Sequence, residues 1–91
     1  MSASASSGPV VLITGAAGAL GKAATAYFAA AGARLALLDV IAIEGPHYAR
    51  TCDLTDAAAC AAAVAGVVSQ FGRVDVLVNI AGGFAMGEAV H

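Results

Sequence analysis

Three glycines, Gly15, Gly18 and Gly21, stand in the stretch ITGAAGALGKA at residues 13–23, with no charged side chain before Lys22. A short apolar run precedes them and an alanine-rich stretch follows. A strand that enters glycines and leaves as a helix makes an anion site. The first N–H groups of the helix have no partner inside it, and the helix dipole adds partial positive charge. Glycine lets a ligand come close to main chain because it has no Cβ. Such a loop needs no cation to hold a phosphate, and this one is bare enough to receive a pyrophosphate on its backbone. The alternative is a tight turn whose glycines only allow close helix–strand packing. A P-loop is excluded, because no Gly-Lys-Ser/Thr ending is present.

The second chemical group is Asp39, at the end of the apolar run RLALLD, residues 34–39. A carboxylate at the tip of a neighbouring strand accepts both hydroxyls of an adenosine ribose. It also repels a 2′-phosphate, which favours NAD over NADP. No arginine follows at Val40 or Ile41, and Arg34 lies at the far end of the strand. The alternative for Asp39 is a solvated strand-end acid.

The elements that must position these groups follow from the apolar pattern. Residues 10–14, VVLIT, read as a strand buried on both faces, as in parallel sheets. Leu20, Ala24, Tyr27, Phe28 and Ala31 recur at helical spacing, with Gly32 as the stop. Residues 34–39 form a second strand and residues 47–52 a third. Thr55 is the expected N-cap of a second helix, with Asp56 in its first turn. Cys60, Val64, Val67, Val68 and Phe71 mark that helix's inner face, and Gly72 ends it. Residues 74–80, VDVLVNI, are a fourth strand.

Strands alternating with helices predict an α/β fold with a parallel sheet. Right-handed crossovers place the strands in the order 3-2-1-4, a partial Rossmann-like doubly wound sheet. Parallel neighbours need a crossover of about ten or more residues. Residues 40–46 are too few for a helix, so an irregular link is expected between the second and third strands. Residues 1–8 read as a flexible tail, and residues 9–91 as one incomplete domain. The fourth strand is apolar on both faces, yet it stands at the edge of the sheet. Self-association or a sheet-completing partner is expected there.

Composition narrows the function classes. The chain has 91 residues, 60% of them hydrophobic and 11% charged, with net charge −2. Its mean hydropathy of +0.88 comes largely from alanine rather than from long greasy segments. No run reaches the roughly 18 apolar residues that a membrane span needs. Without a basic cluster, binding to nucleic-acid phosphates has no support. Cys52 and Cys60 have neither metal-pair nor redox-pair spacing and read as two small hydrophobes in a reducing, cytoplasmic compartment. His47 and His91 are isolated, so no metal site is expected.

TGAAGALG at 14–21, Asp39, CDLTD at 52–56 and DVLVNIAGG at 75–83 come in the order and nearly the spacing of one family. The chain from about residue 9 onward resembles the short-chain dehydrogenase/reductases. The resemblance implies that Gly15, Gly18, Leu20 and Gly21 line a pyrophosphate loop and that Asp39 holds the adenosine ribose. It implies that Asp53, with the Leu54 backbone, flanks the adenine. For Asp53 an Asx-type turn ahead of the helix is the other reading. Asn79, Ala81 and Gly82 match the family's Asn-Asn-Ala-Gly turn beside the cofactor, with Ile80 replacing the second asparagine.

The match has departures. One branch of the family has TGxxxGxG, where this chain has Ala19 in place of the middle glycine. The spacing here, TGxxGxxG, is similar to the extended branch. The helix between the second and third strands is missing. The family's chemistry also uses a serine and a Tyr-x-x-x-Lys pair, in which lysine lowers the pKa of a tyrosine acid/base. No Tyr-x-x-x-Lys occurs in these 91 residues. The resemblance therefore implies the dinucleotide-binding part of an NAD(P)-dependent oxidoreductase, cut after its fourth strand and catalytically silent alone. The alternative is a non-catalytic nucleotide-binding or interaction module completed by a partner chain.

Overall fold

A computed structural model describes residues 8–80. The elements run β1 (Val10–Thr14), α1 (Ala19–Ala30), β2 (Arg34–Asp39), β3 (Tyr48–Thr51), α2 (Ala57–Phe71) and β4 (Val76–Asn79). All pairings are parallel and the strand order is β3-β2-β1-β4, as the apolar runs and right-handed crossovers require. Strand β1 lies between its neighbours with Thr14 opposite Leu38 on one side and Asn79 on the other. The C-terminal ends of three strands thus meet at one rim.

The sheet carries a core on each face. Val11, Ile13, Leu35 and Leu37 point to the α1 side, where Ala24 and Phe28 pack on them. Val10, Leu12, Ala36 and Leu38 point to the α2 side and meet Ala63 and Val67. Strands buried on both faces read as continuous apolar runs, which is why β1 and β2 have no polar alternation. Each fully buried Val, Leu or Ile here contributes about 1.5–3 kcal/mol.

On each helix the expected face is inner in part: Ala24 and Phe28 of α1, and Cys60, Val67 and Phe71 of α2, pack on the core. Leu20 and Tyr27 are 66% and 70% exposed, while Gly21, Ala24 and Phe28 turn inward. On α2, Ala63 and Val67 are buried, whereas Val64 and Val68 are about two-fifths exposed, at 39% and 42%. Alanine fits either face, so the larger side chains mislead about which face is inner. Helix α1 closes in a Schellman arrangement. Gly32 N–H donates to the Ala29 carbonyl at 3.0 Å, and Ala33 N–H to that of Phe28 at 3.0 Å.

The second helix begins one residue later than expected. Asp56, not Thr55, is its N-cap, accepting from Ala58 N–H at 2.9 Å and Ala59 N–H at 3.2 Å. Thr55 is engaged instead by Asp53, whose Oδ1 accepts from both its N–H at 2.9 Å and its hydroxyl at 2.6 Å. This is the Asx-type turn. It holds the Asp53 carboxyl below its ordinary pKa, chiefly through the Thr55 hydroxyl and then its N–H.

The link at residues 40–47 is irregular, as its length demands. It leaves a groove of about 520 Å³ beside α1, with Leu37, Ile41 and Ile43 in its walls. At the opposite end of the sheet Arg34 Nε donates to the Gly8 carbonyl at 2.9 Å. Gly8 therefore belongs to the fold rather than to the tail. The rest of the expected tail, and the Ala81–Gly82 turn, fall outside the described residues.

Asp75 fastens β4 to β1. Its Oδ2 accepts from Val10 N–H at 2.8 Å, and its own N–H donates to the Val10 carbonyl at 2.9 Å. Arg73 Nε sits 3.0 Å from the carboxylate. The Val10 N–H, first, and then Arg73 hold the Asp75 carboxyl below its ordinary value of 3.8. A depressed folded-state pKa means that the unfolded chain takes up the proton first. This contribution is whole above about pH 3.8 and is lost as pH falls through the folded value. Urea midpoints measured from pH 6 to pH 2.5 should therefore fall more steeply for the unsubstituted chain than for Asp75→Asn. Asp56→Ala should lower stability by about 1 kcal/mol at neutral pH, read as a lower urea midpoint with an unchanged slope.

Candidate functional site

The turn from β1 into α1 is built around two glycines with different duties. Gly15 has φ +73°, the left-handed region that a side chain resists. Gly21 lies in the first turn of α1 and is buried. A Cβ there would come within 2.3 Å of the Gly15 carbonyl oxygen and 2.5 Å of Ala16 Cα. The helix start thus packs directly on the loop, and this contact turns the Gly21 face inward. Gly18 is the N-cap, in extended conformation with φ −78°, and a Cβ on it would meet only the Gly15 oxygen at 3.9 Å.

The corner is stitched to the end of β2. The Leu38 carbonyl accepts from Gly15 N–H at 2.9 Å and Ala16 N–H at 3.3 Å. Asp39 Oδ2 accepts from Ala17 N–H at 3.0 Å, and its Oδ1 from Ile41 N–H at 3.2 Å. The acid and the glycine corner expected to act together are therefore in direct contact. An ionised carboxylate has about four acceptor positions. Two are used by these backbone donors, leaving capacity for a ligand's hydroxyls.

The Ala17 and Gly18 N–H groups are engaged within the corner, by Asp39 and by the Gly15 carbonyl at 3.4 Å. The amides placed to meet an anion are therefore those of Ala19, Leu20 and Gly21 in the first helical turn. No side chain caps them, and no acidic residue lies in that turn. The N-terminal positive end of the dipole is left for a ligand.

A cleft of about 760 Å³ opens at the C-terminal ends of β1, β2 and β4. Thr14, Gly15, Asp39 and Asn79 line it, with Leu54 and Thr55 from the turn before α2. This is where the connections to β1 diverge to opposite sides of the sheet, the switch point at which open α/β sheets bind ligands. The size is that of a small-molecule site. Thr14 Oγ1 and Asn79 Oδ1 are 2.6 Å apart, with the hydroxyl as donor, and close the gap between β1 and β4.

Of the residues expected here, Gly15, Asp39, Leu54 and Asn79 line the cleft, and Gly18, Leu20 and Gly21 form the adjoining helix start. Asp53 is exposed, its carboxylate turned to Thr55, and is not part of the lining. Ala81 and Gly82 lie outside the described residues. Sequence reasoning missed Thr14, Val40 and Cys60, which also line the cleft. Thr14 and Val40 were findable as the neighbours of Gly15 and Asp39 at strand ends. Cys60 had no local signal. Among the described residues no group of three or more metal-capable side chains occurs, and no helix is long and apolar enough to cross a membrane.

The sequence pattern of the short chain dehydrogenase family matches residues 9–91. The chain belongs to that family. D-threitol dehydrogenase of Mycolicibacterium smegmatis is 40% identical over 87 residues, covering 82% of this chain and 34% of that protein. The 7alpha-hydroxysteroid dehydrogenase of Escherichia coli K12 is 34% identical over 88 residues, covering 84% of this chain and 34% of that one. Among solved structures, the ligand-free aldohexose dehydrogenase of Thermoplasma acidophilum superimposes with a TM-score of 0.75 at 27% identity, over 79% of this chain and 29% of its own. The 3-ketoacyl-(acyl-carrier-protein) reductase of Brucella melitensis, complexed with NADH, gives 0.71 at 33% identity, over 77% and 32%. The chain thus spans about a third of the length of the curated relatives named here, 34% in both cases. Its four-stranded parallel sheet with two helices is a Rossmann-like α/β arrangement, shared with the short-chain dehydrogenase structures it matches.

The contrast between two glycines tests this geometry. Gly21→Ala drives a Cβ into backbone that has no free space, and should lower stability by about 1–3 kcal/mol or abolish folding. Gly18→Ala meets only ordinary contact and should stay within about 1 kcal/mol of the unsubstituted chain. Thermal melts of the two variants side by side make the comparison.

Proposed function

We propose that the chain is the dinucleotide-binding part of an NAD-dependent oxidoreductase that moves hydride between nicotinamide and an alcohol or carbonyl compound. The observation that carries this reading is the Asp39 carboxylate held at the glycine corner by Ala17 N–H, 3.0 Å away. The pyrophosphate lies on the first amides of α1, past Gly15, Gly18, Leu20 and Gly21. Asp39 accepts the adenosine ribose hydroxyls with its remaining lone pairs and disfavours a 2′-phosphate by charge repulsion. Leu54, with Asp53 beside it, flanks the adenine. Asn79, followed by Ala81 and Gly82, borders the cofactor at the end of β4. The donor set fits the group: main-chain N–H for phosphate, carboxylate for hydroxyls.

The relatives support the reaction class. They include dehydrogenases named for D-threitol and a 7alpha-hydroxysteroid, and a 3-ketoacyl-(acyl-carrier-protein) reductase seen with NADH. When bound, the nicotinamide cofactor supplies the hydride donor or acceptor. This chain's residues bind and orient it. They provide no Tyr-x-x-x-Lys pair for proton transfer, so the chain by itself is proposed to be catalytically silent. Its free thiols suit a reducing compartment, and we place it in the cytoplasm.

A second reading rests on β4. Val76 and Leu77 are 37% and 58% exposed, and among the described strands β4 pairs only with β1. An open apolar edge of this kind is a template for another strand. In that reading the chain is a nucleotide-binding module completed through β4 by a partner chain or a second copy.

Titration calorimetry separates the two. NADH should bind, and NADPH should bind at least about tenfold more weakly, a gap of about 1.4 kcal/mol. Asp39→Asn keeps one acceptor oxygen and removes the charge, so it should narrow that gap. Absence of heat from either nucleotide at millimolar concentration would leave only the interaction role.

A further inference from the structure

Cys52 and Cys60, unrelated by spacing, share one core cluster where β3 hands over to α2. Cys52 follows β3 and is buried in the core on the α2 side of the sheet. Cys60 lies on α2, one turn in, and packs against that same core. Its Sγ is 3.9 Å from the carbonyl oxygen of Asp53, the residue next to Cys52, and 3.6 Å from that of Leu54. Both thiols are free. They differ in access: Cys60 is half-buried and opens into the 760 Å³ cleft, while Cys52 is closed off behind it.

We propose that Cys52 and Cys60 form a reversible disulfide site in the wall of the cleft, oxidised by exchange with a low-molecular-weight disulfide such as oxidised glutathione. The Cys60 thiolate attacks one sulfur of the small disulfide. That S–S bond breaks, one small thiol leaves, and a mixed disulfide stands on Cys60. The Cys52 thiolate then attacks Cys60 Sγ and expels the second small thiol. Two cysteine thiols are oxidised, one small disulfide is reduced to two thiols, and the two cysteine protons end on the departing sulfurs. The order follows from access, because Cys60 lines the cleft while Cys52 is buried and does not.

The second step draws on the Cys52 thiolate. Burial, and then the neighbouring Cys60 and Asp53, push the Cys52 thiol above its ordinary value of 9.0, with Arg50 opposing. Thiolate is the attacking form, so closure speeds as pH rises. The bond ties the end of β3 to the first turns of α2. It encloses Asp53, Leu54 and Thr55, the turn that borders the cleft. The exchange itself stands whether or not a dinucleotide binds there.

The test treats the purified chain with oxidised glutathione and no nucleotide, quenches by alkylation, and maps peptides by mass spectrometry. The expected product is a monomer lighter by two hydrogens, with Cys52 linked to Cys60. Cys52→Ala should stop at a glutathione adduct on Cys60. In Cys60→Ala the buried Cys52 should stay unmodified while the protein is folded. The same reaction in guanidinium chloride measures what the fold contributes, and closure should be at least about tenfold faster in the folded chain. A persistent Cys60 adduct in the unsubstituted chain, or equal closure rates folded and unfolded, would overturn the proposal. Running without nucleotide keeps this outcome separate from the NADH titration.

Discussion

The hydrogen bonds from the glycine corner to the end of β2 are the constraint on which the site depends. Leu38 offers its carbonyl to two loop amides, and Asp39 offers a carboxylate oxygen to a third. Strand β2 therefore does more than pair with β1. Its last two residues hold the loop that leads into α1, which fixes the acid beside the start of the helix. A ligand that uses the dipole for its phosphates and the acid for its sugar meets a preorganised pair of contacts.

The bareness of the loop follows from the same constraint. With Ala17 N–H held by Asp39 and the Gly18 N–H held by Gly15, the amides left to face an anion are those of the first turn of the helix. That turn must sit close against the loop, and Gly21 permits it by lacking a Cβ. Main-chain amides and a helix dipole can hold an anion without lysine or arginine, so a net charge of −2 does not speak against such a site.

Burial is uneven across the sheet. Strands β1 and β2 are closed on both faces, but β4 keeps Leu77 58% exposed on its open flank. The relatives are about three times as long as the matched segment, which covers 34% of the D-threitol dehydrogenase.

Much of the architecture was legible because it is local. Runs such as VVLIT and RLALLD, short and rich in β-branched or aliphatic residues between turn signals, read as strands buried on both faces, and crossover handedness narrows how they can be ordered. The glycine spacing marks the corner, and Asp39 closes a strand beside it. What needed the folded chain is whatever depends on contacts between distant residues. In alanine-rich helices the inner face is not written in side-chain size, and Gly21 against Ala16 decided it for α1. The choice of Asp56 over Thr55 as cap turned on Asp53 claiming the Thr55 hydroxyl first. The approach of Cys60 to Cys52, and the bond from Ala17 to Asp39, exist only once strand ends and helix starts are packed together. Period and composition describe each element alone, whereas these meetings are set by how the elements stack.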